Sequence, residues 1–272
     1  MMKPAPTAPT TAPTWDPQQY LRHADHRARP FVDLLARVPA LPGDPPRIAD
    51  LGCGPGNVTT LLAERWPTAR VTGYDNSREM LAKAAAHATD RLDFAYADAA
   101  HWAPTETYDL LVSNATLQWV PGHADAFPRW LDAVASGGTF AFQVPGNFDA
   151  PSHVLMRELA ESARWKDRLS GVLRHGDAVR TPTAYLERLA GLGCEVDAWE
   201  TTYAHLLTGP DPVLDWVKGT GLRPVLTALA DDPAARDAFV TAYRDLLREA
   251  YPATPHGTVL PFRRIFVVAT RP

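Results

Sequence analysis

Three carboxylates and a glycine-rich loop carry the chemistry legible in this chain. The loop is Asp50-Leu51-Gly52-Cys53-Gly54-Pro55-Gly56-Asn57, and its glycines let the backbone bend tightly and approach a ligand with no side chain between. Such a loop alone also fits a nicotinamide or flavin dinucleotide. The acids narrow the choice. Asp50 stands before the glycines, where it would repel a pyrophosphate but can accept hydrogen bonds from an ammonium group. Asp75 follows 25 residues later and is placed to accept from both hydroxyls of a ribose. Asp98 is placed to accept from the exocyclic amine of an adenine. A ligand with an ammonium, a ribose and an adenine but no phosphate is S-adenosylmethionine. A bound dinucleotide leaves Asp50 and Asp98 unexplained, and a purely structural turn leaves all three acids unexplained. Cys53 reads as a small packing residue rather than a nucleophile.

These residues need a scaffold that brings them to one edge. From Arg47 onward, short apolar runs alternate with helical patterns, the mark of a parallel sheet with crossover helices. Strands are expected at Arg47–Asp50, Ala69–Tyr74, Leu92–Ala97, Tyr108–Ser113 and Thr139–Val144. The acids Asp50, Asp75 and Asp98 then end strands one to three, and Asn114 ends strand four. Helices are expected from Val58 to Arg65, from Ser77 and around Ala124 to Val134, with Ser136-Gly137-Gly138 as a turn into strand five. Residues 151–192 read as helical, with Thr181 capping a helix that has Pro182 in its first turn. Glu195–Leu207 returns to strand character, Asp211 to Tyr251 is helical, and Val259–Ala269 reads as a buried last strand. The expected fold class is α/β: seven strands in a Rossmann-like sheet, with helical insertions after strand five and before strand seven.

Composition sets the outer bounds. The 272 residues allow one domain over 15–272, with a core at 47–145 and helical cap insertions at 151–192 and 209–256. Residues 1–14 are almost wholly Ala, Pro and Thr, and they read as a disordered tail. A formal net charge of -4 with no Lys/Arg stripe argues against a nucleic-acid partner. No apolar run reaches the roughly 20 residues needed to span a bilayer. Two cysteines without CxxC spacing suggest neither a disulfide framework nor a metal site, so a cytoplasmic location fits best.

The string DLGCGPGN and the acids ending strands two and three resemble the class I methyltransferase signature over residues 47–145. That resemblance implies the strand order 3-2-1-4-5-7-6 with strand seven antiparallel. It also implies a cofactor set of Asp50, Gly52, Gly54, Gly56, Asn57, Asp75, Asn76, Met80, Asp98, Ala99, Asn114 and Trp119. Strings outside the cofactor motif resemble trans-aconitate methyltransferases: Trp15-Asp16-Pro17, Arg27-Ala28-Arg29-Pro30, Ser113 to Pro121, Gln143 to Phe148, Pro151-Ser152-His153, Trp199 to Tyr203, Leu214-Asp215-Trp216 and Pro261 to Arg264. This likeness runs from Trp15 to the C-terminus.

The closer resemblance implies methyl transfer to one carboxylate of trans-aconitate, giving a monomethyl ester. A carboxylate is already ionised at pH 7 and needs no general base, so no catalytic acid or base is expected, only positioning. A tricarboxylate needs cations and neutral donors, each charge-assisted bond contributing roughly 1.5–3 kcal/mol. The expected substrate contacts are Tyr20, Arg29, Trp119, Asn147, His153, Arg174, Tyr203 and Arg264. His175, Arg180, Arg223 and Arg263 are further candidate cations outside the cofactor motif. Arg264, among apolar neighbours, is either paired to an internal acid or presented to a site. Arg29 and Arg174 have the alternative of solvated surface positions, and Tyr20, Tyr203 and Trp216 that of core aromatics. The competing functions are a methyltransferase of another polycarboxylate or secondary metabolite, an RNA methyltransferase and a non-catalytic cofactor sensor.

Overall fold

The computed structural model describes residues 24–272 except Thr105 and His175, with the side chains of residues 24–27 also outside the description. The expected tail over 1–14 and the candidate Tyr20 therefore lie outside the described residues, as does His175. Chain contacts divide the molecule into two compact units. One comprises 24–146, 177–203 and 261–272 and carries most of the sheet. The other comprises 147–176 and 204–260 and is mainly helical.

Seven strands form one sheet: β1 (Arg47–Leu51), β2 (Arg70–Asp75), β3 (Leu92–Tyr96), β4 (Tyr108–Asn114), β5 (Val134–Pro145), β6 (Glu195–Leu207) and β7 (Thr258–Thr270). Their order is β3-β2-β1-β4-β5-β7-β6. The first five pair in parallel, and β7 runs antiparallel to β5. This is the order, with β7 antiparallel, expected from the class I resemblance.

The central strands are buried on both faces, which is why they read as continuous apolar runs rather than alternating ones. On β4, Leu111 joins one core with Phe127, Trp130, Phe142 and Tyr185. Leu110 and Val112 join the opposite core with Phe31, Leu34, Ile48 and Phe266. Tyr108 faces the same core as Leu111, three residues on, because the pairing with β5 shifts register between Tyr108 and Leu110. Aromatic geometry supports both faces: Phe142 meets Tyr185 edge-on at 5.0 Å, and Trp199 stacks on Phe266 at 4.9 Å.

Several boundaries differ from the sequence reading for identifiable reasons. The first helix after the glycine loop is Thr60–Arg65, not Val58–Arg65, because the loop turns continue through Thr59. The turn expected at Ser136-Gly137-Gly138 is instead part of β5. Gly137 donates to the carbonyl of Arg271, and Arg271 donates to that of Gly138, at 2.8 and 2.9 Å. The helix Pro182–Ala190, grouped from sequence with the insertion 151–192, belongs to the sheet unit, since Tyr185 and Leu189 are fully buried in its core. Its cap is as expected: Thr181 Oγ1 accepts from the Ala184 amide at 3.2 Å, with Pro182 in the first turn.

In the helical unit the stretch read as helical from Asp211 to Tyr251 forms three helices: Pro212–Lys218, Arg223–Ala228 and Pro233–Ala250. Each starts with a proline in its first turn, a position where the missing amide costs nothing. Helices Pro151–Glu161 and Pro233–Ala250 are tied through Ser152, whose amide donates to Tyr251 Oη at 3.0 Å and whose carbonyl accepts from Tyr243 Oη. No helix among the described residues is long and apolar enough to cross a membrane.

Candidate functional site

The glycine loop follows β1, whose penultimate residue Asp50 has a buried side chain. Asp50 Oδ2 accepts from Thr59 Oγ1 at 2.7 Å, while Oδ1 is buried with no hydrogen-bond partner among the described residues. Burial pushes the Asp50 carboxyl up to about 7, the Thr59 bond opposing and the neighbouring Asp75 charge reinforcing the shift. A buried acceptor with no donor is costly to leave so, and it points to a cationic or hydrogen-bonding ligand.

Two glycines of the loop serve different ends. Gly52 has φ +85°, and a Cβ there would stand 2.1 Å from Thr116 Oγ1. The loop and the segment after β4 are locked together, with Thr116 Oγ1 donating to the Gly52 carbonyl at 3.1 Å. Gly54 has φ +57°, and a Cβ there would meet nothing within 4 Å. Its surface is therefore open, and only its backbone conformation calls for glycine. Asp75, ending β2, fastens the loop: Oδ2 accepts from the Gly54 amide at 2.9 Å and Oδ1 from the Ser77 amide at 2.8 Å. Burial raises its pKa against those backbone donors. Asn76 is exposed beside it, and Met80 is buried in the next helix, whose cap is Ser77 Oγ accepting from the Met80 amide. Asn57, which follows the third glycine, is half-buried.

Asp98 lies two residues beyond β3 with Oδ1 accepting from the Ala100 amide at 3.0 Å and Oδ2 3.5 Å from His101 Nδ1. It borders a cavity of about 400 Å³ that Tyr74, Tyr96, Trp102 and Tyr108 also line. Ala99 next to it is buried. Cys53 is buried, and burial with the Asp50 and Asp75 charges pushes its thiol far above the ordinary value, so it remains a protonated packing group.

At the carboxyl end of β4 a buried polar chain crosses three strands. Arg264 Nη1 donates to Gln143 Oε1 at 3.2 Å, and Gln143 Nε2 donates to Asn114 Oδ1. A guanidinium has donors only, so it fixes both amides: Gln143 must accept from Arg264, and Asn114 must accept from Gln143. The Asn114 amide nitrogen is left to face the other way, as a donor. Ala115 follows at φ +54°, a conformation strained for a non-glycine residue, and its amide is tied to the Gln143 carbonyl at 3.0 Å. Trp119 is half-buried at the end of the short turn Leu117–Trp119.

The structure sorts the expected substrate residues by unit. In the sheet unit, Arg264 is buried, with its guanidinium 4.7 Å over the Phe262 ring. Arg29 lies 5.1 Å over the Tyr203 ring with its Nε 3.9 Å from Asp33, and Tyr203 Oη donates to Asp33 at 2.6 Å. Burial and Asp33 raise the Tyr203 pKa. Arg263 is occupied by Glu200 at 2.5 Å, and Arg180 is exposed. In the helical unit, Asn147 is buried, Arg223 opens a helix, and His153 and Arg174 gather round Phe148. Sequence reasoning missed Thr59, Gln143 and Asp33. Only Gln143 lay in a string already singled out.

The chain resembles a methyltransferase domain family over residues 48–138. It is 71% identical over 269 residues to a trans-aconitate 2-methyltransferase of Streptomyces coelicolor, covering 97% of this chain and 89% of that one. It is 72% identical to the protein of the same name from Streptomyces avermitilis, covering 96% and 98%. The chain belongs to the trans-aconitate 2-methyltransferase family. A member from Mycobacterium tuberculosis is 44% identical over 94% of this chain and 96% of its own length. Likeness within the trans-aconitate 2-methyltransferase family thus extends over both units, well beyond the 48–138 domain. Solved structures share the fold: an S-adenosylmethionine dependent methyltransferase from Mesorhizobium loti (TM-score 0.52, 23% identity, 91% of this chain and 99% of that one) and the [4+2]-cyclase SpnF (0.54, 18%, 92% and 81%). A cyclase among them shows why fold alone does not name a reaction.

Proposed function

We propose that this protein is an S-adenosylmethionine-dependent carboxyl O-methyltransferase that converts trans-aconitate to a monomethyl ester. The observation that carries the reading is identity of 71% and 72%, over nearly the whole chain, to proteins of that name.

The residues fit the cofactor. Asp50 Oδ1, buried and without a donor, suits an ammonium; Gly54 offers open space where a ligand can meet the backbone; Asp75 keeps lone pairs free for ribose hydroxyls beyond the two amides it holds. Asp98 and Ala99 are assigned to the adenine, with Gly52, Gly56, Asn57, Asn76, Met80, Asn114 and Trp119 completing the cofactor set. S-adenosylmethionine supplies an electrophilic methyl group, which a substrate carboxylate, ionised at pH 7, takes up without a general base. The protein's contribution is then positioning and charge. Asn114, oriented by Gln143 and Arg264, presents an amide donor at the carboxyl edge of β4, where ligands bind in open α/β sheets. Arg264, Arg29, Trp119 and Tyr203 of the sheet unit are assigned to the substrate, as are Asn147, His153 and Arg174 of the helical unit. Tyr20, outside the described residues, keeps the same assignment.

A cytoplasmic setting and the absence of a nucleic-acid partner belong to this reading, supported by two free buried cysteines and the net charge of -4. Turnover with labelled cofactor against a panel of di- and tricarboxylates tests it. Trans-aconitate is expected to give the highest kcat/KM, and a better substrate without carboxylates would sink it.

A further inference from the structure

Strand register puts Arg264, Gln143 and Asn114 on one face of the sheet. Asn114 on β4 stands opposite Gln143 on β5, and Arg264 on β7 stands opposite Pro145, which shares a face with Gln143. All three residues are buried, so a reversed or missing bond between them matters more than it would in water. The direction of the chain is set at one end. Arg264 Nη1 donates to Gln143 Oε1 at 3.2 Å, which leaves the Gln143 amide nitrogen to donate onward to Asn114 Oδ1. A side-chain amide presents an acceptor on one side and a donor on the other, and it reverses by a half-turn with no change of shape. The guanidinium therefore decides, from two strands away, that Asn114 offers N–H rather than C=O. The backbone holds the same end of β4 in place. The Ala115 amide donates to the Gln143 carbonyl at 3.0 Å, and Gln118 Nε2 donates to the Ala115 carbonyl at 2.5 Å. Thr116 Oγ1 lies 3.3 Å from the Asn114 carbonyl and 3.1 Å from that of Gly52, which sets this turn against the glycine loop. Under these ties Ala115 keeps its strained φ of +54°.

We infer that Gln143 is a positioning residue for methyl transfer: it carries the polarity of Arg264 to Asn114, so that the end of β4 offers a fixed donor to a carboxylate oxygen of the substrate. Gln143 belongs to neither the cofactor set nor the substrate set given above. The inference rests on the substrate class proposed there and adds the device that selects the substrate's charge. An ionised carboxylate can only accept hydrogen bonds. It is matched by a donor that cannot turn round, and a charge-assisted bond to such a donor is stronger than a neutral one.

The test compares the full-length wild type with Gln143→Glu, Gln143→Met, Asn114→Ala and the combination of Gln143→Glu with Asn114→Ala. A carboxylate at 143 accepts from Arg264 and can only accept from Asn114 as well, so the Asn114 amide must turn and present its carbonyl to the site. Every bond of the chain is then re-made with its polarity reversed, and the melting temperature should hold. KM is measured in turnover, and Kd by calorimetry of trans-aconitate on protein saturated with S-adenosylhomocysteine. Both should rise roughly 10- to 100-fold in Gln143→Glu, the loss of one hydrogen bond to a charged group. Affinity for S-adenosylmethionine should be unchanged. Gln143→Met only releases the Asn114 amide to face either way, and should give a smaller rise of about fivefold, the weight of one neutral hydrogen bond. In the Asn114→Ala background most of the Gln143→Glu effect should vanish, because no amide remains to reverse. An undiminished effect there would mean that the charge at 143 acts by itself, and would overturn the inference. So would wild-type KM and Kd in a folded Gln143→Glu protein, or a change confined to cofactor affinity. If Gln143→Glu does not fold, Gln143→Met decides, and unchanged KM and Kd overturn the inference. If wild type neither binds nor methylates trans-aconitate, the proposed substrate fails and the same variants are read on tricarballylate. A wild type that binds neither tricarboxylate overturns the inference as well.

Discussion

Asp50 makes cofactor affinity depend on pH in a direction that can be worked from its surroundings. In the ligand-free protein its carboxyl is pushed from the ordinary 3.8 to about 7, chiefly by burial. The folded state therefore holds a proton that the unfolded state has released between about pH 4 and 7, so stability falls as pH rises through that window. The roughly three-unit gap, at about 1.36 kcal/mol per unit, gives a penalty on the order of 4 kcal/mol above pH 7. Asp50→Asn, which keeps the shape and cannot ionise, should remove that dependence and be the more stable protein at pH 8. Binding runs the other way, because an ammonium needs the ionised carboxylate. Below pH 7 affinity for S-adenosylmethionine should fall about tenfold per unit, and above about pH 8 it should fall again as the ligand's own α-amino group loses its proton. Titration calorimetry from pH 5.5 to 9 should show a maximum between about pH 7 and 8 in the wild type. Asp75, also raised by burial, adds to the acidic limb, so the comparison with Asp50→Asn isolates the first acid. An Asp50→Asn protein with wild-type affinity and an unchanged profile would refute the assignment of the ammonium to Asp50.

Other substitutions separate binding from folding. Asp75→Ala should weaken cofactor binding in calorimetry and, because Asp75 also holds the Gly54 and Ser77 amides, cost about 1–3 kcal/mol in denaturant unfolding. Arg264→Ala should raise the KM for trans-aconitate roughly 10- to 100-fold with cofactor affinity unmoved, Arg264→Lys recovering only part; a lowered melting temperature with unchanged KM would mark Arg264 as structural. Thr181→Ala removes a helix cap far along the chain from the glycine loop and should cost about 1 kcal/mol of stability in urea titration while leaving KM and kcat alone.

What the sequence made legible was local. Glycines at 52, 54 and 56 announce positive φ because few other residues tolerate it, and an acid at each of three strand ends is visible once the strands are. Fully buried strands such as β4 announce themselves by unbroken apolar runs. Long-range pairing left no such trace. Gln143 sits in an apolar strand, and its role depends on Asn114, 29 positions away, and Arg264, 121 away. The division of 211–251 into three helices follows from Gly219, Gly221 and the prolines at 224 and 233. On β5 the neighbour of Arg264 is the amide of Gln143, a pairing that no spacing within β7 encodes.

The central claim is that a carboxylate receives the methyl group. The most direct test incubates the protein with trans-aconitate and S-adenosylmethionine bearing a trideuterated methyl, then examines the product by mass spectrometry before and after mild alkali. The account predicts a single labelled methyl per tricarboxylate, bound as an ester and released by alkali, with S-adenosylhomocysteine formed in equal amount. Label in an alkali-stable linkage, or S-adenosylhomocysteine without labelled tricarboxylate, would contradict it.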